Sequence, residues 1–336
     1  MAKKIGRRTL EFSDKIKVAS YGNIVGKFEG EGPLSKYFDM VVNDEYFGEK
    51  TYEKAETKMQ KTALNSALQK GILKASDLDL IASGDLLNQC ISSSYSVRDN
   101  DVPFIGLFGA CSTMALSTIV ASLSVECGYS RYAAGVTSSH FCSAERQFRQ
   151  PLEYGGQRTP SAQRTVTAGA AVIVGGQKGN ININRITLGS VIDFLVTDAN
   201  NMGAAMAPAA ADTLMHYFED TNTVPDDYDM ILSGDLGSVG ASILRDMMNE
   251  KGFELKNNYN DCGLMIFDNE KQDTHAGGSG CGCSGAVLTG YVLPKLSSKE
   301  LKNVLFMSTG ALMSPTASQQ GESIPAVAHL VNFVSE

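Results

Sequence analysis

Apolar residues recur at helical spacing in two stretches of the chain, 53–70 and 202–218. Met59, Ala63, Leu64, Ala67 and Leu68 share a face in the first, and Met206, Ala210, Leu214, Tyr217 and Phe218 in the second. A period near 3.6 predicts two amphipathic helices. Each is followed by a short, mainly apolar run broken by Gly-Asp, Leu80–Ser83 and Met230–Ser233, which reads as a buried strand. Each half then has a glycine-rich turn with cysteine that opens a helix of small residues. The first runs from Phe108-Gly109-Ala110-Cys111-Ser112 into 114–128, the second from Gly280-Cys281-Gly282-Cys283-Ser284 into 286–291. Further strands are predicted at Tyr132–Ser138, Thr165–Val174 and Val304–Ser308. Strands alternating with helices imply sheets covered by helices, an α/β fold.

The two series are copies. Residues 77–86 and 227–236 agree at Asp77/Asp227, Asp79/Asp229, Ile81/Ile231, Ser83/Ser233, Gly84/Gly234, Asp85/Asp235 and Leu86/Leu236. A constant offset near half the chain predicts a duplicated protein, with one half over 1–178 and the other over 179–336. The chain has 33 glycines, and small-residue helices are expected where the halves pack closely. One segment lacks a counterpart, the insertion 139–164, which carries Arg146, Arg149, Arg158 and Arg164 with Gln157 and Gln163. Phe141, Phe148, Leu152 and Tyr154 give it apolar anchors, so an ordered, functional connection is expected.

Composition removes several function classes. Lys plus Arg number 29 and Asp plus Glu 37, a formal charge of −8, and no basic cluster beyond Lys3, Lys4, Arg7 and Arg8 offers a nucleic-acid face. No apolar run approaches a membrane span, the best being Met114–Val125 with three serines inside it, and the first 25 residues lack a secretory apolar region. The expectation is a soluble protein that stays where it is made. Seven scattered cysteines then read as reduced thiols. Cys262, Cys281, Cys283 and His275 lack the paired spacing of a zinc site, so no metal is expected.

Cys111 is the candidate reactive group. A thiol at a helix start meets unpaired backbone N–H groups and the positive end of the helix dipole, both favouring thiolate. A small buried thiol at a crowded turn fits the same pattern.

The two halves, the Gly-Ala-Cys-Ser helix start and the glycine-rich turn of the second half resemble the thiolase superfamily. Within it the runs FGACSTMALS around Cys111, SSHFCSAERQFRQPLEYGGQRTPSAQ at 138–163, SGDLGSVG at 233–240 and TGALMSPTASQQGESIP at 309–325 are similar to the stage V sporulation protein AD family. The resemblance spans essentially the whole chain. It implies a thiolase-like duplicated fold, two βαβαβαββ-type halves packed as a layered α-β-α-β-α sandwich. It also implies a homodimer, paired across the strand Tyr132–Ser138.

By the same resemblance, the implied function is non-catalytic binding of dipicolinic acid (pyridine-2,6-dicarboxylate) and its uptake during sporulation. The protein would act peripherally at the forespore or spore inner membrane with other stage V sporulation A proteins. Condensing enzymes of the superfamily take a His, then a His or Asn, from the second half. Here the first loop is Gly234-Asp235-Leu236-Gly237, without His, and the second place falls at Gly278, with His275 a few residues early. That points away from catalysis, with acyl transfer by Cys111 the alternative. A flat dianion calls for arginine forks and helix N–H groups. The candidate ligand residues are Cys111, His140, Ser143, Arg146, Arg149, Arg158 and Gln163, each also open to a structural role. No cofactor is expected, and calcium would come only with the ligand.

Overall fold

A computed structural model describes residues 2–148, 158–176 and 178–336. Ten strands form the main path of the sheet: β1 (Thr9–Gly26), β2 (Leu80–Asp85), β3 (Phe104–Gly106), β4 (Tyr132–Ser139), β5 (Ala168–Gly175), β6 (Ile181–Thr187), β7 (Met230–Ser233), β8 (Tyr259–Asp261), β9 (Asn303–Ala311) and β10 (Ala326–Ser335). Their order is β8-β7-β9-β10-β6-β1-β5-β4-β2-β3. The two ends mirror each other. β3-β2-β4 and β8-β7-β9 are parallel, and each series continues through two antiparallel neighbours, β5 and β1 or β10 and β6.

The halves are joined by β1 itself. Its beginning pairs with β6 and its later part with β5, with the register shifting between Glu11 and Ile16. One 18-residue strand thus serves both five-stranded units.

Helices fill three layers. Helix α1 (Tyr52–Gly71) packs on β1, β4 and β5, starting at Thr51, whose hydroxyl accepts from the Lys54 N–H. Between the two units run α2 (Thr113–Glu126) and, in the second half, a helix over Cys281–Val287; α2 touches strands of both units. On the far side α4 (Met202–Thr221) lies on β9 and β10 and against α5 (Gly237–Glu250). The remaining labelled helix, α3 (Phe141–Phe148), opens the insertion.

The middle layer is thin because its residues are small. A Cβ at Gly135 on β4 would stand 2.8 Å from the Thr118 backbone nitrogen of α2. Any larger residue there would force strand and helix apart.

Several expected boundaries move. The predicted strand Thr165–Val174 is two: Arg164–Thr165, paired with Gly278–Ser279, and β5 after a break at Val166-Thr167. Strand Tyr132–Ser138 extends to Ser139, and as β4 it is hydrogen-bonded on both edges, to β2 and β5. It therefore has no edge free for a partner copy; the open edge of the first half is β3, with Phe104 and Ile105 exposed. In the insertion, Arg149, Leu152, Tyr154 and Gln157 lie outside the described residues.

Buried acids shape the stability of this core. Burial pushes Glu29 and Asp235 up to about 7 and Asp261 up to about 6. Glu56, which accepts hydroxyl hydrogen bonds from Ser138 at 3.0 Å and Ser143 at 2.7 Å, is raised by burial and then by Asp85 beside it. The unfolded chain would release these protons near 4.5 for Glu and 3.8 for Asp. Above those values the fold holds more protons than the unfolded chain, so its stability falls as pH rises. Thermal melts should show a midpoint that drops between about pH 4.5 and about pH 7. The variant Glu56→Gln, uncharged throughout, should give a shallower slope.

Candidate functional site

Cys111 sits in a short turn, Ala110–Ser112, that leads into α2. Ala110 takes a left-handed conformation, φ +49°. The turn is pinned by its own hydroxyls: Ser112 Oγ donates to the Gly109 carbonyl at 2.6 Å and Thr113 Oγ1 to the Ala110 carbonyl at 2.7 Å. The second half presses on it from β9, where a Cβ at Gly310 would fall 2.2 Å from the Gly109 oxygen and 3.3 Å from the Cys111 nitrogen. Glycine there is what lets the two halves meet at the sulfur.

The group facing the thiol is Asp235. Its Oδ1 accepts from Thr309 Oγ1 at 2.7 Å and its Oδ2 from the Gly280 N–H at 2.8 Å, and the Cys111 thiol also hydrogen-bonds to it. Burial, then the Asp235 charge, raise the Cys111 thiol well above its ordinary value. The helix start does not produce a thiolate here. Cys111 is only 7% exposed, and the cost of burying a charge beside a carboxylate exceeds the attraction of the helix dipole.

Cys111 lines a recess of about 470 Å³, open mouth included. Phe108, Phe148, Met202 and Met313 are among its apolar lining residues, and Cys111, Glu145, Thr165 and Ser279 supply polar groups. Glu145 accepts from Thr165 Oγ1 at 3.1 Å.

All four histidines stand elsewhere. His140 is buried, its Nε2 bonded to the Glu45 carbonyl at 2.8 Å and its Nδ1 accepting from the Cys142 N–H at 3.2 Å. Burial lowers its pKa. His275 approaches Asp273 at 3.7 Å, His216 bonds its own helix at the Asp212 carbonyl, and His329 accepts from the Gly189 N–H. None lines the Cys111 recess. Of the second-half turn, Ser279 reaches the recess and Gly280 supports Asp235.

The other expected ligand residues are scattered. Ser143 is bonded to Glu56. Arg146 forms an ion pair with Glu53 and is half exposed. Arg158 donates to the Asp273 carbonyl at 2.7 Å. Gln163 stands behind the site, where its Nε2 donates to the Asp235 carbonyl at 2.6 Å and to the Gly278 carbonyl at 2.9 Å. It thereby ties the end of the insertion to both second-half loops. Sequence reading passed over Asp235 and Glu145. For Asp235 the signal existed, since it is the repeat partner of Asp85; for Glu145 there was none beyond its place in the insertion. Among the described residues no group of three or more His, Cys, Asp or Glu is arranged to hold a metal.

The model of the stage V sporulation protein AD family matches residues 6–334. The chain is 44% identical over 331 residues to stage V sporulation protein AD of Bacillus subtilis (strain 168), covering 98% of each. Among solved structures it is similar to 3-oxoacyl-[acyl-carrier-protein] synthase III of Aquifex aeolicus, with a TM-score of 0.59 and 12% identity over 95% of this chain and 99% of that one. It is likewise similar to a thiolase of Ascaris suum in complex with coenzyme A, with a TM-score of 0.60 and 10% identity over 96% of this chain and all (100%) of that one. At such identities the likeness is one of fold, and the fold is thiolase-like.

If Asp235 holds the thiol neutral, removing its charge should free it. In Asp235→Asn, iodoacetamide should alkylate Cys111 at about pH 8 at least about threefold faster than in the unaltered protein, read as the mass of the Cys111 peptide.

Proposed function

The chain belongs to the stage V sporulation protein AD family, a family of sporulation proteins, and we propose that it binds dipicolinate in the Cys111 recess without chemical turnover. The observation that carries this reading is that the Cys111 thiol is hydrogen-bonded to Asp235, with no histidine lining its recess. Acyl transfer from a cysteine needs a thiolate, or a base to make one, and donors for the oxyanion. The thiol here meets a buried carboxyl rather than an imidazole, and all four histidines stand elsewhere. The same recess has apolar walls that suit a flat aromatic ring, although no arginine is among its described lining residues. Phe108 and Phe148 are apolar, and the Ser279 hydroxyl offers a hydrogen bond, the Thr165 hydroxyl already donating to Glu145. Calcium arriving with the diacid would find a carboxylate at Glu145, which supports a chelate as the bound form. The protein would work at the spore inner membrane as a peripheral component of dipicolinate uptake, held by other stage V sporulation A proteins. No helix among the described residues is long and apolar enough to cross a membrane.

Dimerisation belongs to the same proposal, through β3 rather than β4. An edge strand with exposed Phe104 and Ile105 offers unpaired backbone groups and apolar cover to a second copy. Sedimentation should show a dimer for the unaltered chain and a monomer for Ile105→Asp, which sets like charges on facing edges.

Calorimetry with dipicolinate tests the binding reading. Ala144→Phe, which fills the recess from α3, should weaken binding by about tenfold or more. Arg146→Ala, changing only a half-exposed ion pair, should bind within about twofold of the unaltered chain. Unchanged affinity in Ala144→Phe would move the ligand elsewhere, and an acyl adduct on Cys111 after incubation with acyl-CoA would return the chain to the condensing enzymes.

A further inference from the structure

A second recess, lined by none of the residues of the first, opens between the short helix Lys27–Gly30, the loop that carries Val42 and Glu45, and the start of α3. It measures about 390 Å³, open mouth included. Five charged residues line it, Lys27, Glu29, Asp44, Glu45 and Arg164, and two of opposite charge, Glu29 and Arg164, each keep a buried hydrogen-bonding atom unused. Glu29 is 1% exposed; its Oε1 accepts from the Thr167 N–H at 2.9 Å, whereas its buried Oε2 has no partner. The Arg164 guanidinium, whose charge acts on Glu29, is held between the rings of Phe28 and Phe141, at 4.1 and 3.9 Å from their centroids, and its buried Nε has no partner either.

Buried polar atoms are costly to leave unsatisfied, and native cores rarely do so without a reason. Stacking fixes the orientation of the arginine while keeping its charge. The loop over the recess is anchored as well, by the bond from His140 Nε2 to the Glu45 carbonyl. A fixed carboxylate oxygen and a fixed guanidinium facing one narrow recess are complementary to a molecule that carries a cation at one end and an anion at the other.

We propose that this recess binds a small zwitterion of the amino-acid type, its ammonium group on Glu29 Oε2 and its carboxylate on Arg164. Phe28, Val42, Met59 and Phe141 give the recess apolar walls, and the ligand proposed for it has a short side chain. The site is independent of the Cys111 recess and of what that recess binds.

The test is calorimetric titration of the full chain with glycine, L-alanine, L-phenylalanine, acetate and methylammonium. Glycine or alanine should bind, and acetate, methylammonium and phenylalanine should each bind at least about tenfold more weakly. Glu29→Gln should reduce glycine and alanine binding by about tenfold or more, while Ala144→Phe leaves it unchanged. Gly26→Ala is a second probe that keeps the acid, because its Cβ would stand 2.7 Å from Glu29 Oε2 and close the recess; it too should abolish binding. No heat with glycine or alanine up to about 10 mM would mean that the recess holds water only, and would overturn the proposal. Binding that survives both Glu29→Gln and Gly26→Ala would do the same.

Discussion

Five layers can share one core only if the middle one is thin, and here the rest of the structure depends on that thinness. Helix α2 lies between strands of both units, so each of its faces must pack against backbone rather than against long side chains. Gly135 marks where a strand backbone comes within contact of α2, and Gly310 where another meets the turn leading into it. The serines and threonines of α2 pack there because their hydroxyls fold back onto carbonyls of their own helix, as Ser117, Thr118 and Ser122 do. The same close approach brings Asp235, from the second half, onto a sulfur at the start of a first-half helix.

That meeting sets the chemistry. Burial raises the Asp235 carboxyl to about 7 against the hydrogen bonds it accepts from Gly280, Thr309 and Cys111, and burial together with the Asp235 charge raises the thiol. A fold shared with condensing enzymes therefore holds, at its centre, two groups that satisfy each other. An imidazole in place of Asp235 would take the thiol proton; a carboxyl in low dielectric accepts the hydrogen bond and leaves the proton where it is.

Much of the fold was legible because duplication repeats its own evidence. The SGDL copies located β2 and β7, and helical periodicity located α1 and α4 to within a few residues. Strands β1, β6 and β10 were not singled out, since runs such as Ile16-Lys17-Val18-Ala19-Ser20 mix polar and apolar positions on a strand whose two ends serve different neighbours. Within the site, Cys111 was legible from its glycine-rich turn. The walls were not: Phe108, Met202 and Met313 come from separate connections and share a recess only through folding. The arginines drew attention as charge, yet charge alone does not say where a side chain turns. Arg146 found Glu53 and the solvent, and Arg164 found two aromatic rings.

The long first strand carries a cost during synthesis. It leaves the ribosome with only the short strands Lys3–Ile5 and Val41–Val42 near it in sequence to pair with, since its long neighbours in the two units begin at Ala168 and Ile181. Through that interval most of both strand edges waits unpaired on the nascent chain, and neither unit can close without it. Slow, non-local pairing of this kind exposes the chain to aggregation. Prompt folding of this protein in the cell thus rests on whatever shields that segment until the middle of the message has been read.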